Sequence, residues 1–241
     1  LKGPNFGLPI EELEEAFSEK TKLVVLNSPH NPTGKVFSKE ELLLLSEMVI
    51  KHDAFVISDE VYEFLTFDHH QHIPISSLPG MRERTIMISS AGKTFSFTGW
   101  KVGWCLASEI LTKAIRMVHQ FNTFGSAHPL QIAVSRAIDN IDSYLGSFRE
   151  SYKKKRTILY EGLKKSELKP FLPEGTFFIL CEIPPEKNKT DIEYCIELME
   201  SKKVAAIPPS AFYSRCPEEG KKYIRFCFAK KDETLKVAIA N

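Results

Sequence analysis

Three short apolar runs constrain this chain more than anything else in it. They are "KLVVLN" at 22–27, "AFVIS" at 54–58 and "TIMISS" at 85–90. Each is too short for a helix and apolar at nearly every position, the pattern of a strand buried on both faces. A fourth run, "GWCLA" at 103–107, reads the same way. Helical spacing fills the gaps. Ile10, Leu13 and Phe17 lie three to four residues apart. "SKEELLLLSEMVIKH" opens with Ser38 and Glu41 at the separation of a capping box. In "SEILTKAIRMVHQF", Ile110, Ala114, Ile115, Val118 and Phe121 share one side of a helix. Strands alternating with helices predict an α/β domain built on a mainly parallel sheet.

The second half changes character. Residues 129–165 read as mostly helical, and the basic run "YKKKR" at 152–156 reads as a solvated helix face, because Glu150 and Glu161 flank it. Then come "GTFFILCEI" (strand), "TDIEYCIELMESKK" (helix, with Thr190 and Glu193 as a second capping box), "VAAIP" (strand) and "KYIRFCFAK" (strand). This order predicts a smaller α+β unit. The boundary falls near residue 158, giving a large unit over 1–158 and a small one over 159–241. The last residues, "KKDETLKVAIAN", read as a helix with Asp232 at its N-cap, cut soon after it starts. No internal repeat or low-complexity segment is visible.

Charge excludes some functions. With 32 basic and 31 acidic residues the net charge is +1, which gives no global attraction to nucleic acid or to an anionic membrane. No apolar run reaches transmembrane length, and no signal-peptide pattern is visible. Five cysteines are an odd number with no CxxC spacing. Cys105, Cys181 and Cys227 fall in apolar runs and read as buried free thiols, which fits a reducing compartment, the cytoplasm or the mitochondrion.

In an open α/β sheet, ligands collect at the carboxyl ends of the strands. There the first run leads into Pro29-His30-Asn31-Pro32-Thr33-Gly34, the second into Asp59-Glu60-Val61-Tyr62, and the third into Ala91-Gly92-Lys93. An amide, an acid with a phenol, and a lysine thus share one edge. For an arbitrary lysine a plain ion pair is the ordinary reading. Lys93 differs: its small neighbours let a ligand approach the backbone. Ser89, Ser90, Thr94 and Ser96 are hydroxyl donors for a phosphate, and Lys101 adds a cation eight residues on. A lysine beside a phosphate cluster and opposite a carboxylate fits a Schiff base to pyridoxal phosphate, the carboxylate keeping the pyridine nitrogen protonated. Other candidates weigh less. "DHHQH" at 68–72 matches no standard metal spacing and reads as solvated histidines, so no metal is expected. Trp100 and Trp104 read as packing residues.

The stretches "NSPHNPTGKVF", "ISDEVYEFLTF", "SSAGKTFSFTGWKVGW", "AIPPSAFYS" and "YIRFCFAKK" occur in that order along nearly the whole chain. Together they make the chain resemble the class I pyridoxal-phosphate aminotransferases of fold type I. Within them it looks most like the kynurenine aminotransferase group, also called glutamine transaminase K or cysteine-S-conjugate β-lyase. The resemblance implies pyridoxal 5'-phosphate as cofactor and an exchange of amino groups between an amino acid, such as kynurenine or glutamine, and a 2-oxo acid by a ping-pong mechanism. It implies that Asn31 and Tyr62 bond the cofactor's phenolic oxygen and that Asp59 pairs with its ring nitrogen. Lys93 would form the Schiff base and then shuttle the proton. Ser90 and Lys101 would bind the phosphate. Asn31 and Arg225 would hold the substrate carboxylate, Arg225 by its bidentate fork. His30 would support its loop. The family's chains carry a long section ahead of the position of Leu1, with a stacking aromatic, a second phosphate turn and residues that cross a homodimer. These 241 residues are therefore expected to be a fragment that is not competent alone, with an incomplete large domain. A non-catalytic fragment, a C–S lyase and an aminocyclopropane-carboxylate synthase-like enzyme are the alternatives.

Overall fold

A computed structural model describes residues 1, 3 and 5–241. Its first part runs α1 (Ile10–Ala16), β1 (Leu23–Asn27), α2 (Lys39–Lys51), β2 (Phe55–Asp59), β3 (Thr85–Ser90), α3 (Ala91–Thr94) and β4 (Gly103–Leu106). Three helices follow: α4 (Glu109–Asn122), α5 (His128–Asp139) and α6 (Ile141–Leu163). The remainder is β5 (Lys169–Pro170), β6 (Phe178–Glu182), α7 (Asp191–Glu197), α8 (Pro217–Gly220), β7 (Tyr223–Cys227) and α9 (Asp232–Ala240).

The four predicted strands of the first half form one sheet in the order β1-β2-β3-β4. β1, β2 and β3 are parallel, while β4 runs antiparallel to β3. That reversal follows from the connection. The segment after β3 holds one helical turn and folds straight back, and Ala91 N–H donates to Val102 O at 3.1 Å. A parallel return needs a longer crossover. Register sets the site: Asn27 lies opposite Asp59, so two polar strand ends stand side by side.

α2 begins where its sequence indicates. Ser38 Oγ accepts from Glu41 N–H at 3.2 Å, and Glu41 Oε2 accepts from Ser38 N–H at 2.9 Å, a reciprocal cap that satisfies two otherwise unpaired donors. Leu42, Leu45 and Val49 of this helix pack on Leu26, Val56, Ile75 and Met81. Thr190 and Glu193 cap α7 in the same way.

Burial on both faces of the sheet is not what the structure shows. Leu23, Val25, Phe55 and Leu106 are exposed, Val25 at 71%. Strand alternation puts Leu23, Val25 and Phe55 on the face opposite Leu26 and Val56, whereas the register through Ser58 and Met87 puts Leu106 on the same face as Leu26, on the edge strand β4. α4 shares this exposure: Ile110, Val118 and Phe121 lie in solvent although they form an apolar side. Cys105, in exposed β4, is consequently exposed too, while Cys181 is buried and Cys227 half-buried, and all five thiols are free.

The second sheet is β5-β6-β7, antiparallel throughout. "VAAIP" is not a strand. Only Ile207 bridges to Arg225 there, because Pro208 and Pro209 follow at once and proline supplies no ladder N–H. β5, two residues long, carries no sequence signal. α6 runs through residue 158 and packs its Phe148, Tyr152, Leu159 and Leu163 against Ile179, Ile224 and Phe228 on one side of the sequence and Tyr62, Leu65 and Phe67 on the other. The "YKKKR" run is solvated only in its lysines. Tyr152 and Arg156, one helical turn apart, face inward, and Arg156 makes a bidentate pair with Asp68 at 2.9 and 3.1 Å. Asp232 is not the N-cap of α9; Lys231 is, and the Asp232 carboxylate pairs with Lys154 at 2.6 Å.

Candidate functional site

The carboxyl ends of β1, β2 and β3 present Asn31, Asp59 and Lys93 on short loops, and β7 brings Arg225 from the second sheet. Asn27 braces the first of these loops. Its Nδ2 donates to Asp59 O at 2.9 Å and its Oδ1 accepts from Asn31 N–H at 2.8 Å. Asn31 Oδ1 in turn accepts from Arg225 Nη1 at 2.5 Å, joining residues 194 positions apart. Neighbouring His30 is braced by Thr33, whose Oγ1 lies 2.8 Å from Nδ1.

Arg225 is held between aromatic rings. Its Cζ lies 4.1 Å from the centroid of Phe178 and 5.4 Å from that of Phe212. Burial lowers its pKa, and its buried Nε has no hydrogen-bond partner among the described residues. A guanidinium stacked on its faces can still donate in its plane, the geometry that a carboxylate accepts in two-point fashion.

Asp59 ends β2, and its Oδ1 accepts from Val61 N–H at 3.3 Å. Burial raises its pKa; the Val61 bond and the charge of Lys93 pull the other way, and Glu60 adds to the rise. Tyr62 is buried, with its ring 5.2 Å from Phe177. Burial also raises its phenol well above the usual range, against the pull of Arg225. Lys93 Nζ sits 6.0 Å from the Tyr62 ring centroid and 5.7 Å from that of Phe177. No carboxylate among the described residues pairs with it, so the plain ion pair does not form.

Ser90, Lys93 and Lys101 share one tight hairpin. A Cβ on Gly92 would stand 3.2 Å from Thr98 Cα, and one on Gly103 would stand 2.9 Å from Ser89 O, so side chains there would force the hairpin open. Ser90 is the N-cap residue of α3 and leaves its hydroxyl out of any capping bond. Lys101 adopts a left-handed φ of 54° and is exposed. Ser89 does not join this group: strand alternation turns it inward, where its Oγ donates to Glu63 Oε1 at 2.7 Å. The aromatic partners Phe177, Phe178 and Phe212 escape a sequence reading because a strand phenylalanine looks like core. His72 is not solvated. Its side chain is 7% exposed and its Nε2 lies 2.6 Å from Glu60 Oε2.

These groups suit a phosphorylated pyridine aldehyde. Two buried polar atoms, Thr94 Oγ1 and Arg225 Nε, await partners. The two glycines let the hairpin backbone close up. The donor set contains an amine, an anion, an amide, a phenol and a hydroxyl with a second ammonium. That combination defines a pyridoxal-phosphate-dependent protein. The model of the family "Aminotransferase class I and II" matches residues 2–241; the chain belongs to that family, which is pyridoxal-phosphate-dependent and of fold type I. It is 42% identical to kynurenine–oxoglutarate transaminase 3 of Rattus norvegicus over 95% of this chain and 54% of that protein. It is 38% identical to methionine aminotransferase of Escherichia coli over 99% and 61%. The structure of N-succinyldiaminopimelate aminotransferase from Mycobacterium tuberculosis superposes with a TM-score of 0.95 at 38% identity, covering all of this chain and 62% of the other. The chain thus spans little more than half the length of the curated relatives that it matches.

Proposed function

We propose that this chain supplies the catalytic lysine and most of the cofactor contacts of an aminotransferase that exchanges amino groups between a neutral or aromatic amino acid and a 2-oxo acid. The observation that carries this reading is the joining of Asn31 to Arg225 across two sheets, with Phe178 stacked on the Arg225 guanidinium and packed on the ring of Tyr62, over which Lys93 Nζ lies. Pyridoxal phosphate, when bound, supplies a carbonyl carbon for the amine and a conjugated ring that accepts electrons from the substrate Cα.

Each residue has a defined task. Lys93 Nζ is the covalent anchor, and once released it moves the proton from the substrate Cα. No ion pair holds the amine, so it is free to swing. Asp59 holds a proton on the ring nitrogen. It does so as the carboxylate anion, and the Val61 N–H bond and the charge of Lys93 act against the rise in its pKa that burial causes. Tyr62 and Asn31 Nδ2 donate to the phenolic oxygen. Ser90 and Lys101 hold the phosphate. Arg225, fixed in plane by Phe178 and Phe212, takes the substrate carboxylate. The donor acid of this reading comes from the relatives' names, kynurenine–oxoglutarate and methionine transaminases, together with the aromatic lining of Phe177, Phe178 and Phe212. A homodimer completes the assembly.

The test is reduction with borohydride of the protein loaded with pyridoxal phosphate, followed by peptide mapping. The label is expected on Lys93. Made in the full-length protein, Lys93→Ala should lose both the label and transamination of kynurenine or glutamine with a 2-oxo acid. A label on another lysine, or near-normal turnover in Lys93→Ala, would overturn the assignment.

A further inference from the structure

Two rings stack on Arg225, and they are held very differently. Phe178 is a buried residue of β6. Phe212 is 47% exposed and belongs to a segment outside both sheets. That segment starts where Ile207 and Arg225 exchange two main-chain hydrogen bonds of 3.0 Å. Pro208 and Pro209 follow and have no N–H to offer. One turn of 3-10 helix then spans Pro209–Phe212. No ladder fixes this turn, so another contact has to.

Asp191 makes that contact. It is the first residue of α7 and wholly buried. Its Oδ2 accepts from Ser210 N–H at 2.8 Å. An acidic residue at a helix start ordinarily serves its own helix. Here Thr190 and Glu193 already cap α7, and the Asp191 bond leaves the helix for a turn 19 positions on. Its Oδ1 is buried with no partner among the described residues. Burying an unpartnered oxygen costs stability, so an apolar side chain of similar shape would serve packing alone at least as well. Gly220 completes the seat: a Cβ there would stand 2.5 Å from Ser210 Cα. Ser210 is thus held by a side-chain acceptor and by a bare backbone, two residues before Phe212.

We propose that Asp191 is a positioning residue for the carboxylate clamp: through Ser210 N–H it fixes the turn that lays Phe212 on the Arg225 guanidinium. A guanidinium stacked on two rings is already aligned for a two-point bond to a carboxylate. If the turn loosens, one ring is lost and substrate binding itself must order the fork. That loss acts alike on ground state and transition state, so it falls on KM and not on kcat. The inference rests on the Arg225 role proposed above, but its main test does not need the cofactor.

The test is the rate at which phenylglyoxal modifies Arg225, followed by peptide mapping, in the full-length protein freed of pyridoxal phosphate. Asp191→Leu removes the acceptor and keeps the volume. It is expected to speed modification roughly threefold to tenfold, the factor that one neutral hydrogen bond corresponds to. Asp191→Asn keeps an acceptor oxygen and should restore the parent rate. Thr190→Val, which breaks the cap of α7 without touching Ser210, should lower the melting temperature and leave the rate unchanged. In the loaded enzyme, Asp191→Leu should raise KM for amino and oxo acids by the same factor at unchanged kcat and cofactor absorbance. An unchanged modification rate in Asp191→Leu, or an equal acceleration in Thr190→Val, overturns the proposal. Hydrogen exchange at Ser210 in the parent protein needs no variant, and an amide there that exchanges as fast as an unbonded one overturns it too. Borohydride labelling away from Lys93 would defeat the proposed function while leaving these rates readable.

Discussion

At the scale of single residues, burial sets two measurable properties. His30 is largely enclosed by its loop, and burial pushes its imidazole down to about 4 from the ordinary 6.5. The unfolded chain takes up this proton near the ordinary value, and the folded protein does so only near the lowered one. Its stabilisation is therefore fully present above the ordinary value and is lost as pH falls through the lowered one, by about 3 kcal/mol. Urea midpoints measured across that window should fall with pH, and His30→Gln should flatten the fall. Arg225 owes its placement to two rings and an amide. Arg225→Lys keeps the charge and loses the fork and the stacking, so KM for amino and oxo acids should both rise, by roughly tenfold to a hundredfold for a charged hydrogen bond worth about 1.5–3 kcal/mol. The cofactor's absorbance should not change, and its loss would make Arg225 a structural residue instead. The places of Asn31, Asp59, Tyr62 and Lys93 were legible in the sequence because each lies at a strand end or in the loop that follows it. Phe178 and Phe212 were not, since nothing local distinguishes a ring that packs on Arg225 from one that packs on leucine.

At the scale of elements, capping was readable and contact was not. The pairs Ser38–Glu41 and Thr190–Glu193 cap their helices as their spacing indicates, because a capping box involves only four neighbouring residues. The crossing of α6 and α9 has no such signal. A Cβ on Gly162 would lie 2.4 Å from Ile239 Cγ1, so this glycine is what lets the two helices approach. Gly162→Ala should gain up to about 1 kcal/mol in helix propensity and lose about 1–3 kcal/mol to overpacking. The expected net result is a lower melting temperature, and a higher one would show that α9 can move aside at little cost. "VAAIP" fails as a strand for a related reason. Its apolar residues fit the pattern, but the prolines that end it remove the donors a ladder needs, and one bridge is all that forms.

At the scale of the whole molecule, exposed apolar side chains dominate. Leu23, Val25, Phe55 and Leu106 of the sheet and Ile110, Val118 and Phe121 of α4 lie in solvent. Exposed apolar surface of this kind drives association. Expressed as residues 1–241, the chain should elute from a sizing column at positions that depend on concentration, and the combined substitution Val25→Glu, Val118→Glu and Phe121→Glu should reduce this dependence. A monodisperse monomer at every concentration would contradict the expectation. The sequence by itself determined the identity and order of the main strands and helices, the caps, and the polar groups at the strand ends, because these depend on neighbours within a few residues. Tertiary structure alone decided that Leu23, Val25 and Phe55 stay exposed, that Arg156 and His72 turn inward to acids, and that Arg225 reaches Asn31 between two rings. Those outcomes depend on contacts between residues far apart in the chain, and no local period or spacing records which distant surface will arrive.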